Sequence, residues 1–82
     1  MGKLFLNNNK IIDINIFENV NFKELKKLSL YNNNISDIKV LEKVKFEKLE
    51  LLDLSDNEIS ESENKLIISK LESAIDIILE DN

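Results

Sequence analysis

The sequence predicts an α/β fold, a short solenoid with a parallel β-sheet on its concave face and short helices on its convex face, built from three repeats and a C-terminal stub. Three observations lead there. The template L-x-x-L-x-L-x-x-N-x-I is filled by Leu25, Leu28, Leu30, Asn33 and Ile35, and again 24 residues later by Leu49, Leu52, Leu54, Asn57 and Ile59. Between the copies a second set of apolar columns returns: Ile11, Ile14, Phe17, Val20, Phe22 and Leu25 match Ile35, Ile38, Leu41, Val44, Phe46 and Leu49. Finally, the chain has no Pro and only one Gly, at position 2, so nothing interrupts the pattern.

Each element has its own reason. The first copy runs from Met1 through Leu4, Leu6, Asn9 and Ile11, and a degenerate fourth arrives one residue late as Ala74, Ile77, Leu79 and Asn82. In L-x-L both leucines face one side of a strand, so stacked copies give a parallel sheet with one buried face. The Asn that follows must turn the chain, and its amide both donates and accepts. Asn9, Asn33, Asn57 and Asn82 are thus expected to stack as a structural ladder. The spacing of three after the template Ile suits a short helix, with Asp13 and Asp37 at N-cap positions. Ser60 to Glu63 reads as a capping box before the third and longest helix, whose apolar stripe is expected to be Leu66, Ile67, Leu71 and Ala74. That helix, or the turn before it, absorbs the extra residue. Residues 1–82 are expected to form a single domain.

This self-similarity resembles the leucine-rich repeat family along the whole chain. Within the family it is most similar to the short-repeat class that includes bacterial internalins and phosphatase-1 regulatory subunits, whose usual repeat is shorter than the one here. The resemblance implies a concave sheet that binds protein partners.

Composition narrows the function. There is no His, no Cys and no Arg, which removes the Ser-His-Asp and Cys-His arrangements, the commonest zinc ligands and the bidentate phosphate clamp. A lone Gly2 leaves no phosphate-cradling loop. No enzyme activity and no cofactor is expected. Absence of Cys fits a reducing compartment, and the N-terminus lacks a signal-peptide pattern, so a cytoplasmic protein is expected, in the host cytoplasm if it is phage-encoded. The acidic run DLSDNEISESE offers oxygen ligands, but it lacks the spacing and turn Gly of a calcium loop. Its carboxylates are expected to diverge, and no metal site is assigned.

Charge is unevenly spread. Residues 1–48 carry nine Lys against six acids, a balance of +3, while residues 49–82 carry two Lys against ten acids, a balance of −8. An acidic end repels nucleic acid and anionic membranes and attracts basic protein surfaces. The third, fifth, seventh and eighth template residues are expected to face the open side of the sheet. They read Lys3, Phe5, Asn7, Asn8, then Lys27, Ser29, Tyr31, Asn32, then Leu51, Asp53, Ser55, Asp56, and last Asp76, Ile78, Glu80, Asp81. Apolar anchors amid polar neighbours suit a protein-binding surface.

The expected partner-binding residues are therefore Phe5, Lys27, Tyr31, Asn32, Leu51, Asp53, Asp56, Ile78 and Glu80. The function expected is that of a noncatalytic interaction module whose partner has a basic surface. The alternative is a small phage- or mobile-element-encoded inhibitor, anti-CRISPR-like, that blocks a basic nucleic-acid-binding protein. The Asn-, Ile- and Lys-rich composition without Arg points to an AT-rich genome. Neither end shows a capping unit, so pairing of exposed strand edges into a homodimer is a further expectation.

Overall fold

Leucines alternating with variable residues at a fixed 24-residue interval place equivalent strands side by side, and the computed structural model, which describes residues 2–82, has that arrangement. Four three-residue strands, β1 (Lys3–Phe5), β2 (Lys27–Ser29), β3 (Leu51–Asp53) and β4 (Asp76–Ile78), form one parallel sheet in sequence order. The register is strict. Leu4, Leu28, Leu52 and Ile77 lie in one row, with an offset of 25 rather than 24 residues at the last step. The extra residue falls in the third return path, which holds the one α-helix among the described residues, α1 (Lys65–Glu72).

The first two return paths are tighter. Each forms a 3-10 helix, Asn15–Asn19 and Lys39–Glu42, too short to complete α-helical turns. The residues flanking their starts are Ile14 and Ile38, one later than the expected caps. Asp13 and Asp37 nevertheless act at these turns: the N–H of Asn15 donates to the Asp13 carboxylate at 2.8 Å, and that of Lys39 to Asp37 at 2.9 Å. The expected capping box is displaced too. The Glu63 N–H reaches Ser60 Oγ at 3.3 Å, but this closes a turn, and α1 starts two residues beyond Glu63 behind Asn64.

One continuous apolar core runs under the sheet and the return paths. Leu28 and Leu52 of the strands and Leu30 and Leu54 just after them are essentially inaccessible, as are Ile35 and Ile38 from the second return path. Burial of such a side chain stabilises the fold by ~1.5–3 kcal/mol each, so a few columns suffice for a chain of this length. The Phe column gives it continuity. Phe22 stacks on Phe46 of the next copy, with centroids 5.8 Å apart, and meets Phe17 edge-on at 5.3 Å.

Three apolar assignments need correction. Val20 is exposed whereas its counterpart Val44 is buried. Leu66 and Ala74 face solvent, and the buried side of α1 and its following turn is Ile67, Ile68 and Ile75, with Leu71 half-buried. The buried set Asn64, Ile67, Ile68 and Ile75, with Leu71 half-buried, follows the three-four spacing of an amphipathic helix, and Leu66 falls on its opposite side.

Candidate functional site

The turn after each strand decides what the open face can carry, so the Asn ladder comes first. Asn33 Nδ2 donates to its own Leu30 carbonyl at 2.9 Å and to Leu6 of the preceding copy at 3.0 Å, while its Oδ1 accepts the Ile11 N–H at 3.2 Å. Asn57 repeats this with Leu54, Leu30 and the Ile35 N–H. Asn82 does the same with Leu79, Leu54 and the Ile59 N–H. Each rung ties one copy to the one before it. Asn33 and Asn57 are buried, but Asn82 and Asn9 are exposed, and Asn9 bonds only to Leu6 and Asn7 of its own turn. The ladder thus ties copies together at Asn33, Asn57 and Asn82, buried at the first two and exposed at the third, whereas Asn9 closes only its own turn.

A second column in this turn is also structural. Asn8, Asn32, Asp56 and Asp81 all have positive φ, between 56° and 59°. Asn and Asp tolerate this left-handed conformation far better than other non-glycine residues. Their identity is therefore set by the backbone as well as by any partner, although Asn32 and Asp56 remain exposed. The signal was present in the sequence as a column that never departs from Asn or Asp.

The concave face is narrower than the variable template positions imply. Ser29 and Ser55 are buried rather than open: Ser29 Oγ donates to Asn7 Oδ1, and Ser55 Oγ accepts the Glu80 N–H at 3.1 Å. Small hydroxyls between larger neighbours are covered by them and join the sheet's own bonding. Of the expected contact residues, Phe5 (59% exposed), Tyr31 (40%), Asn32, Asp56 and Glu80 remain accessible. Lys27, Leu51, Asp53 and Ile78 are half-buried. The Asp53 carboxylate is partly committed, since it accepts the Ser55 N–H at 3.0 Å.

Geometrically, the strand register places Phe5, Ser29, Asp53 and Ile78 in one row, and Lys3, Lys27, Leu51 and Asp76 in another. The sheet register thus aligns five of the expected contact residues, Phe5, Lys27, Leu51, Asp53 and Ile78, while Tyr31, Asn32, Asp56 and Glu80 follow in the turns. Lysines line one end of a row and an aspartate the other. Among the described residues no group of three or more Asp or Glu side chains converges to hold a metal ion. No helix among them is long and apolar enough to cross a membrane.

A family model for leucine-rich repeats, described as two copies, matches residues 23–73, well over half of the chain. The chain belongs to the leucine-rich repeat family. No curated protein matches it, and neither does any solved structure. Leucine-rich repeats commonly mediate protein–protein interaction. In this leucine-rich repeat protein the match spans the second and third copies with the return path of each, where the ladder is buried and the sheet pairs on both edges. The generic family, rather than any one class within it, is what the match establishes.

Proposed function

We propose that this leucine-rich repeat chain is a noncatalytic module that docks a protein partner on its concave face, with Tyr31 and Phe5 as apolar anchors. The observation carrying this reading is that both aromatics stay exposed although the same fold buries Leu28 and Leu52 at the centre of the two inner strands. Leaving a large ring in water forgoes favourable burial, and aromatic side chains are the groups that most often anchor an interface. Asp53, Asp56 and Glu80 place negative charge beside these anchors, which favours a partner with a basic surface.

Charge must be removed without disturbing the turn. Asp53→Asn keeps an acceptor for the Ser55 N–H, and Asp56→Asn keeps a residue suited to positive φ. The test compares partner capture by the wild-type chain, Tyr31→Ala, the double Asn variant and the convex-face variant Leu66→Ala. Loss with the first two variants and retention with Leu66→Ala supports concave docking. Equal capture by all four sinks it.

The balance of −8 over residues 49–82 favours a second reading, an inhibitor that covers the groove of a basic nucleic-acid-binding protein. On that reading a captured partner is displaced by added oligonucleotide. A partner that binds the chain and the oligonucleotide together rules it out.

A further inference from the structure

The strand register fixes an order of charge across the open face of the sheet. At the third, fifth, seventh and eighth template positions the first two copies carry Lys3 and Lys27 and no acid, whereas the last two carry Asp53, Asp56, Asp76, Glu80 and Asp81 and no lysine. The change of sign falls between the two inner copies, each of which has a neighbour on both sides. We infer that the occupant of this face is a bipolar segment of a protein partner lying across the strands, with an acidic group over Lys3 and Lys27, apolar side chains at its centre and basic groups over Asp53, Asp56 and Glu80. The inference rests on the concave-docking reading and narrows it, since the basic surface of the partner must end in an acid.

Unlike charges are kept apart on this face. Lys27 stands opposite Leu51, and Asp53 opposite Ser29 and Ile78, so no lysine here meets an acid across the strands. The two salt bridges among the described residues, Lys48 with Glu24 and Lys70 with Glu42, fall outside these positions. Like charges, by contrast, are kept together. Lys3 stands opposite Lys27, and the turns that carry Asp56 and Asp81 lie side by side, joined by the Asp56 N–H to the Glu80 carbonyl at 2.8 Å. Directly opposed like charges destabilise a sheet. A bipolar occupant relieves the repulsion at both ends of the face, whereas a uniformly basic one relieves the acidic end and aggravates the lysine pair.

Between the charged ends the floor offers a partner few free hydrogen-bonding groups. Ser29 Oγ donates to Asn7 Oδ1 and Ser55 Oγ accepts the Glu80 N–H at 3.1 Å, so both buried hydroxyls are already engaged. Contact at the centre is left to Tyr31 and half-buried Leu51, which suit apolar side chains. Strands about 4.8 Å apart set β1 about 14 Å from β4, a distance that about four or five residues of extended chain cover.

The experiment uses two end-blocked peptides of one composition, each about seven residues long. In one, two glutamates, an apolar centre and two lysines form separate blocks; in the other, glutamates and lysines are interleaved. Both are neutral, so the net charge of −5 on the chain favours neither. Binding is read by fluorescence anisotropy of labelled peptide titrated with the 82-residue chain at low and high salt. The wild type is expected to bind the block peptide about five- to tenfold more tightly than the interleaved one, a preference that fades at high salt. Lys3→Gln with Lys27→Gln, which keeps the side-chain length, removes the preference. Asp53→Asn with Asp56→Asn, which keeps the turn, reduces it from the other end. Equal binding of the two peptides by the wild type, binding of neither, or a preference that survives the lysine pair overturns the inference. Tyr31→Ala separates this failure from that of the docking reading. If it weakens both peptides while the wild type shows no preference, the charge order alone falls; if it leaves binding of the block peptide unchanged, concave docking falls and the inference with it.

Discussion

At the scale of single residues, the turn after each strand carries more of the fold than its polarity suggests. Asn57 is 8% exposed and satisfies three carbonyls and one N–H, so Asn57→Ala leaves buried backbone groups without partners. The expected loss is about 2–4 kcal/mol, a large part of the total stability of a domain this small. Asn9→Ala removes only bonds within an exposed turn and is expected to cost less than about 1 kcal/mol. Urea denaturation of the pair checks the contrast, and equal losses would show that the ladder does not act between copies. Asp56, one position earlier, has φ 56°. Asp56→Asn is expected to be neutral and Asp56→Val to destabilise by about 1–2 kcal/mol or more, because a β-branched side chain crowds its own carbonyl there. These two columns also show how legible the turns were in the sequence. The Asn of the template declared itself by its place after the leucines. The column before it was read as a free, outward-facing position, although it held only Asn and Asp, because variability between two similar residue types hides a backbone constraint that only dihedral angles reveal.

At the scale of elements, the strands were legible and the helices only partly so. A period of two with a 24-residue interval admits one pairing, and the observed register places Leu4, Leu28 and Leu52 side by side. The return paths are governed by how little length they have. Five- and four-residue 3-10 helices bury one or two side chains each, so cap positions shift by a residue without changing the sequence pattern. In α1 the choice of face is decided by packing on the second return path and on β4. Leu66→Lys is accordingly expected to change stability by less than about 0.5 kcal/mol, since that side chain is 76% exposed. Ile67→Ala, at a buried position, is expected to cost about 2–4 kcal/mol. Reversal of that order in thermal or urea unfolding would move the helix face. Between elements, Lys48 Nζ donates to Glu24 at 2.7 Å, linking two copies, and this hydrogen bond together with the lysine's charge holds the Glu24 carboxyl below its ordinary range. A carboxylate with a depressed folded pKa adds stability above its unfolded pKa and loses it as pH falls through the folded one. The stability difference between the wild type and Glu24→Gln is thus expected to be present at neutral pH and to vanish on the acid side of the carboxylate range. Both groups are exposed, so the difference is small and screened by salt.

At the scale of the whole molecule, stability should be graded along the solenoid, because each copy is completed by its neighbours. The columns show the gradient directly. Leu4, Leu6 and Ile11 are half-buried, while Leu28, Leu30 and Ile35 in the same positions are 0–1% exposed. The first 3-10 helix leaves Ile16 in water, whereas Val40 in the second is covered. Opening the first copy therefore exposes less new apolar surface than opening the second, and it breaks pairing along only one edge. Local opening of this kind costs less than global unfolding. Native-state hydrogen exchange at dilute protein concentration reads this residue by residue. The N–H groups of Leu30 and Asn32, which donate to Asp53 at 2.8 Å and to Ser55 at 3.0 Å and so join the two central copies, are expected to exchange only through global unfolding. Those of Leu6 and Asn8, bonded to Ser29 and Tyr31 at 2.9 Å, are expected to exchange at least about tenfold faster through fraying of β1, despite bonds of nearly the same length. Protection of all four to the same extent at dilution would mean that the first copy is held by something other than the second. If slowing of Leu6 and Asn8 appears only as concentration is raised, the edge is being covered by another copy, and the gradient along the array is then evened out by association rather than by the fold of one chain.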